Sequence, residues 1–369
     1  MDLLLQKLHL FNFKNHKDLS LEFCQEINCI VGSNGSGKTN ILESIYYLSF
    51  CKGYFNPQDS QNIHHGDDHF SIRGEFVKDV PVKLTCAVQL GQRKRFKKDD
   101  KEYERLADHV GGFPVVIISP YDVDLIREGS EARRKFMDMV ISLDDKEYLL
   151  TLIDYNRALA QRNNLLKFFW ENRTMDKEQL SIWNIQLSDL GRKIYNRRKA
   201  FFEDFRTIFK EYQSAISKGK DRADIRYRSQ LRDEDMLSAL DRGLDRDMAR
   251  HHTLFGIHKD DMEMVVDGHP VKKFGSQGQQ KTFLIALKLA QFQFIKNRSG
   301  LKPLLLLDDV FDKIDDERVE YMIELVSKDI FGQIFITDTS RDRLDKVLAS
   351  TDKDYRIIEM TESTQEVEA

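Results

Sequence analysis

A chain of 369 residues with 41% hydrophobic and 32% charged residues has the composition of a globular protein, long enough for one large or two ordinary domains. The formal charge of −4 excludes global attraction to nucleic acid or acidic membranes, so any such binding must come from local patches. No run approaches 18 apolar residues and the first residues lack the pattern of a signal peptide, so the expectation is a cytoplasmic protein without membrane contact.

In chain order, the first 125 residues read as strands broken by turns. "LHLFNFKNHKDLSLEF" and "VKLTCAVQLG" alternate as half-buried strands do, "KKDDKEY" reads as a hairpin tip, and "INCIVG" and "PVVIIS" read as strands buried on both faces. Cys24, Cys29, Cys51 and Cys86 form no C-x-x-C pair and read as reduced thiols; the adjacent His pairs at 64–65 and 251–252 diverge and predict no zinc site.

From Glu128 to Asp247 there is no proline and the periodicity turns helical. Leu180, Trp183, Leu187, Leu190, Ile194, Phe201, Phe205, Ile208 and Tyr212 predict one helix of about 35–40 residues whose apolar seam misses one beat near Arg197. A preceding helix through Leu149, Leu152, Ile153, Leu159 and Leu166 supplies the opposing face. Past residue 250, "DMEMVVDGHPVKKF" predicts a hairpin turning at Asp267-Gly268, followed by the apolar helix "TFLIALKLAQFQFI" and the buried strands "PLLLLDD" and "GQIFITDTS". The predicted organisation is an α/β nucleotide-binding head from residues 1–126 plus 246–369, an all-helical lobe inserted at 127–245, and a disordered acidic tail at 361–369.

Gly32-Ser33-Asn34-Gly35-Ser36-Gly37-Lys38-Thr39 fits G-x-x-x-x-G-K-[ST] between a strand and a helix. Glycines let successive N–H groups face phosphate oxygens, and the helix that follows adds its positive dipole end. Lys38 is then the cation for the β- and γ-phosphates of ATP, and Thr39 a ligand for Mg²⁺. Asp308 and Asp309 end a buried strand. In P-loop proteins such a strand lies beside the first, so Asp308 is placed to hold Mg²⁺ through water and Asp309 to orient or activate the attacking water.

The order phosphate loop, "FGSQGQQK", "LLLLDD", "DKID" resembles an ABC-type ATPase head with a mixed β-sheet and flanking helices. The resemblance makes Ser276, Gly278 and Gln279 the signature motif, facing the γ-phosphate of a second subunit, and makes Asp315 close the loop after the acidic strand. No histidine occurs after His269, where transporter heads carry one, and Asp309 stands where a glutamate base is usual. Both departures point to a weak ATPase acting as a switch.

"GSNGSGKTN", "SPYDVDLIREGSEARRKFMD", "FGIHKDD" and "LLLLDDVFDKID" are similar to the RecF family, relatives of the SMC ATPases, over nearly the whole chain; Ile257 and Lys259 depart from its usual proline and arginine. That resemblance implies ATP-dependent homodimerisation and binding to duplex DNA, single-stranded DNA and the junctions between them. It also implies action with RecO and RecR to load RecA in recombinational repair, replication restart and the SOS response. Alternatives are an SMC-like architectural ATPase or a transporter ATPase subunit. In "NFKNH" the family stretch approaches nucleotide, with Lys14 a candidate phosphate contact or a surface-loop lysine. The basic clusters 93–98, 133–135 and 192–199 are candidate DNA contacts and equally ordinary solvated charge.

Overall fold

The computed structural model describes residues 2–310, 330–349 and 352–360. The tail 361–369 and Asp315 lie outside the described residues. Two compact units emerge: Met1–Asp122 with Gln291–Ala369, and Val123–Ala290.

The first unit begins with β1 (Leu4–Phe13), β2 (His16–Glu22), β3 (Ile27–Gly32) and α1 (Lys38–Phe50). It continues through β4 (His69–Val77), β5 (Pro81–Gln89), β6 (Arg95–Lys98), β7 (Lys101–Glu102) and β8 (Val115–Ile118). The β6–β7 turn at Asp99-Asp100 has positive φ at both residues, which Asp tolerates better than most side chains.

The second unit holds α2 (Asp124–Arg127), α3 (Ser130–Ser142), α4 (Lys146–Asn172), α5 (Lys177–Ile216) and β9 (Ala223–Arg228). It then holds α6 (Met236–Arg242), α7 (Leu244–Arg250), β10 (Asp261–Val266), β11 (His269–Pro270), α8 (Val271–Phe274) and the first part of α9 (Gln277–Ser299). The described remainder is β12 (Leu304–Asp308), β13 (Ile334–Asp338), α10 (Arg341–Leu348) and β14 (Tyr355–Met360), in the first unit.

The expected mixed sheet resolves into two sheets in the first unit. One is antiparallel, ordered β2-β1-β4-β5-β6-β7, and its strands alternate buried and exposed. The other is parallel throughout, ordered β14-β3-β13-β12-β8. β3, β8, β12 and β13 are buried along nearly their whole length, as expected for parallel strands covered on both faces. α1 packs against strands of both sheets, so even its Glu43 and Ser44 are buried. This wedged helix fixes the loop that precedes it.

In the second unit α5 spans 40 residues, about 60 Å, against α4. Leu180, Leu187, Ile194, Phe201, Phe205 and Phe209 are buried on its seam. The missing beat is filled by Arg198, whose side chain is 1% exposed. The second unit runs to Ala290, past the 127–245 lobe expected from sequence, because the sheet β11-β10-β9 packs on α3 and α5. It is not wholly helical either, since β9 falls inside that lobe. Periodicity identifies strands and helices separately but does not say which helices a sheet packs against.

Candidate functional site

The loop from Gly32 to Gly37 is shaped by its glycines at two positions. Gly32 leaves no room for a Cβ, which would lie 2.7 Å from Ser36 Oγ and 2.8 Å from the Met360 carbonyl. Gly37 takes φ +93° as the residue preceding α1. No side chain caps α1, and Ser36 Oγ is buried without a hydrogen-bond partner. Donors at this helix N-terminus are thus left for an anion.

Lys38, 4% exposed, donates to the carbonyls of Gly32 and Ser33, both at 2.9 Å. Its ammonium lies across the loop's entrance on bonds that a phosphate oxygen can replace. Ser33, Asn34 and Gly35 lie in the same loop, all exposed.

Thr39 Oγ1 donates to Asp308 Oδ1 at 2.8 Å, joining residues 269 positions apart. Asp308 sits on β12, which is separated from β3 by β13 in the parallel sheet. Thr337 on β13 donates to the same oxygen at 2.9 Å and accepts the Asp309 N–H at 3.0 Å. Burial raises the Asp308 pKa above the ordinary carboxylate value, opposed by its two threonine hydrogen bonds. A hydroxyl and a buried carboxylate side by side are hard oxygen donors of the kind Mg²⁺ takes. Asp309 follows the strand with φ +46°, a left-handed conformation that turns the chain sharply after β12.

Lys14 is engaged within the first unit. Its ammonium pairs with Glu43, a buried carboxylate on α1 that also accepts the N–H groups of Phe55 and Asn56 at 3.2 Å. Its neighbours Asn15 and His16 instead touch the loop, at the carbonyls of Gly35 and Gly37. Sequence reasoning passed over these two and Thr337, because a polar residue in a turn or strand carries no periodic signal.

Ser276 and Gln279 lie in the second unit and form a reciprocal cap on α9. The Gln279 N–H donates to Ser276 Oγ at 3.2 Å and the Ser276 N–H donates to Gln279 Oε1 at 3.0 Å. The Gln279 amide also donates to Asp221 at 3.0 Å. Gly278 is half-buried on the first turn. The cap uses Ser276 Oγ as acceptor, leaving the hydroxyl's own donor out of that bond.

The basic clusters are largely committed inside the fold. Lys94 donates to the Cys51 carbonyl at 2.6 Å and pairs with Asp59 at 2.8 Å, while Arg95 pairs with Glu102 at 3.2 Å. Arg133 forks onto Asp261 at 2.6 and 3.0 Å, and Arg134 donates to the Asp260 carbonyl at 2.8 Å. Arg198 joins Asp138 at 2.9 Å and Asp260 at 2.7 Å. The segments "SEARRKFMD" and "FGIHKDD", far apart in sequence, are therefore one ion-pair network. Arg192 pairs with Asp235 at 2.9 Å and Arg197 with Asp145 at 2.5 Å, leaving Lys193 and Lys199 as the exposed lysines of 192–199. A concentration of cations that sequence reasoning missed lies on α5 and β9, where Arg206, Lys210 and Arg226 converge on the single carboxylate of Asp224.

This geometry meets its relatives in comparison with known proteins. The family model for the RecF/RecN/SMC N terminal domain matches residues 4–366. The DNA replication and repair protein RecF of Flavobacterium johnsoniae is 49% identical over 357 residues, covering 96% of this chain and 99% of its own. The chain belongs to the RecF family. The RecF of Bacteroides thetaiotaomicron is 45% identical and covers 96% of each chain. Among solved structures, that of the recombination mediator protein RecF-ATPrS in the RecFOR pathway matches with a TM-score of 0.86 at 30% identity, covering 96% of each chain. An Smc head domain from Pyrococcus furiosus matches with a TM-score of 0.56 at 19% identity, a likeness of fold alone. The chain is thus an SMC-like ABC ATPase of RecF type.

Proposed function

We propose that this RecF-family chain is an ATP-controlled DNA-binding switch in DNA replication and repair. The observation that carries the reading is the Thr39–Asp308 hydrogen bond of 2.8 Å beside the Lys38-spanned loop. It joins the cation, the hydroxyl and the acid that a triphosphate and its metal require. Residues Gly32 to Thr39 hold the phosphates of ATP, and Thr39 and Asp308 hold Mg²⁺, which neutralises charge on the β- and γ-phosphates. Asp309 orients the attacking water; its carboxylate is one methylene nearer the backbone than a glutamate's, so hydrolysis is slow. Ser276, Gly278 and Gln279 meet the nucleotide of a second copy, so ATP drives homodimerisation.

DNA is held by its phosphates, at duplex, single strand or the junction between them. Arg206, Lys210 and Arg226 support this role, because three cations share one carboxylate on rigid elements. In the cytoplasm the dimer acts with RecO- and RecR-type mediators to promote RecA loading at gaps in recombinational repair, replication restart and the SOS response. The test is light scattering together with gel shifts on gapped, duplex and single-stranded DNA across a salt titration, with and without ATP. Expected are an ATP-dependent dimer and tighter gapped-DNA binding, both lost in Lys38→Ala and Ser276→Arg. A monomer in every nucleotide state, with DNA affinity indifferent to ATP, overturns the reading.

A further inference from the structure

The turn between β1 and β2 meets the phosphate loop at two points and the helix that follows it at a third. His16 Nε2 donates to the Gly37 carbonyl at 3.1 Å, and Asn15 Nδ2 donates to the Gly35 carbonyl at 3.3 Å. Asn15 Oδ1 accepts from Asn40 Nδ2 on α1 at 2.6 Å. The approach is close: a Cβ on Gly37 would lie 2.5 Å from the His16 ring and 2.6 Å from Asn15 Nδ2.

The turn is braced from behind. The Lys14 N–H donates to the Asn62 carbonyl at 2.9 Å, His64 Nδ1 donates to the Lys14 carbonyl at 2.7 Å, and the Lys14 ammonium pairs with Glu43. His16 is fully buried, which holds its pKa below the usual histidine value, and a carbonyl acceptor requires the proton on Nε2. The ring is therefore a neutral, fixed donor.

A trans peptide points its C=O and the following N–H in opposite directions. With the Gly37 carbonyl held towards His16, the Lys38 N–H is aimed away from the turn. With the Gly35 carbonyl held towards Asn15, the Ser36 N–H faces the other way and donates to the Ser33 carbonyl at 3.3 Å, closing the loop on itself.

We propose that Asn15 and His16 are positioning residues for triphosphate binding, setting the peptide planes of the phosphate loop before the ligand arrives. The proposal rests on the triphosphate reading above. Preorganisation of this kind raises affinity by removing ordering cost from the binding step. It also makes the first antiparallel hairpin part of the nucleotide site through the loop it holds.

The test is titration calorimetry of the full chain with Mg–ATP and, separately, with inorganic tripolyphosphate. His16→Leu keeps the bulk and removes the donor, His16→Gln restores a donor near the Nε2 position, and Asn15→Ala removes the second hold. His16→Leu is expected to weaken both ligands about 10-fold, the size of one hydrogen bond's contribution. His16→Gln should return to within about 3-fold of wild type, and Asn15→Ala should fall between. DNA affinity without nucleotide should be the same in all four proteins. Wild-type affinity in His16→Leu and Asn15→Ala, or a Gln variant as weak as Leu, overturns the positioning role while leaving triphosphate binding intact. If His16→Leu does not fold, Asn15→Ala and His16→Gln decide the matter. A wild-type protein that binds neither ligand overturns the triphosphate reading itself, and the positioning role with it.

Discussion

Lys38 and Asp308 in the first unit are buried against neutral partners, two carbonyls and two hydroxyls, which a ligand can displace. Arg162 and Arg198 in the second unit are buried against carboxylates: Asp247 for the one, Asp138 and Asp260 for the other. A buried charge held by neutral dipoles stays available for an incoming opposite charge. A buried charge already neutralised does not, and its partners become a structural requirement.

The largest effect expected is on the neutralised side. Arg198→Met leaves Asp260 buried and Asp138 half-buried without their cation and should lower unfolding free energy by roughly 3–5 kcal/mol, read by urea denaturation. A midpoint close to wild type would break the comparison at its root. Lys38→Ala should do the reverse: nucleotide affinity falls roughly 10- to 100-fold, while the urea midpoint moves far less than in Arg198→Met.

Acidity acts on His258 and Asp308 with opposite signs. His258, half-buried between the Tyr155 hydroxyl and the Thr253 carbonyl, has its pKa pushed down by desolvation to about 4. The unfolded chain binds that proton near the usual 6.5, so stability falls as pH drops from about 6.5 towards 4, by at most about 1.4 kcal/mol per pH unit. The raised pKa of Asp308 acts oppositely: the folded protein holds its proton longer, so this group disfavours folding as pH rises through its folded value. Asp308→Asn should therefore raise the neutral-pH urea midpoint while abolishing the magnesium dependence of nucleotide binding. His258→Gln should flatten the acid limb. Both curves come from urea melts at pH 4.5 to 8.

The smallest effect lies within one triplet. Arg133→Gln removes a two-bond fork on Asp261 and should destabilise by roughly 1–3 kcal/mol, whereas Lys135→Gln touches only an exposed pair with Glu131 and should stay within about 0.5 kcal/mol. Equal costs in the same denaturation assay would erase the distinction between committed and solvated charge.

Where the signal was local, the sequence was readable. The strands alternating for a half-covered sheet, the apolar runs of the parallel sheet, the long seam of α5 and the turn at Asp267-Gly268 follow from period and turn chemistry. The phosphate loop was legible because its glycines and lysine are contiguous. Asn15, His16 and Thr337 were not, since each acts on a residue brought near by sheet pairing or loop closure. The charge clusters stayed ambiguous for the same reason: adjacency in sequence says nothing about the carboxylate that answers each cation.

By itself, the order of residues determined the elements, the cradle between β3 and α1, and the acid pair ending β12, because backbone conformation and burial pattern respond to near neighbours. Only the tertiary structure decided that Arg198 fills the gap in the α5 seam, that Lys14 pairs with Glu43, and that Thr39 reaches Asp308. Those pairings depend on distances set when sheets and helices pack, and a side chain's partner is whichever opposite group that packing leaves within a few ångströms.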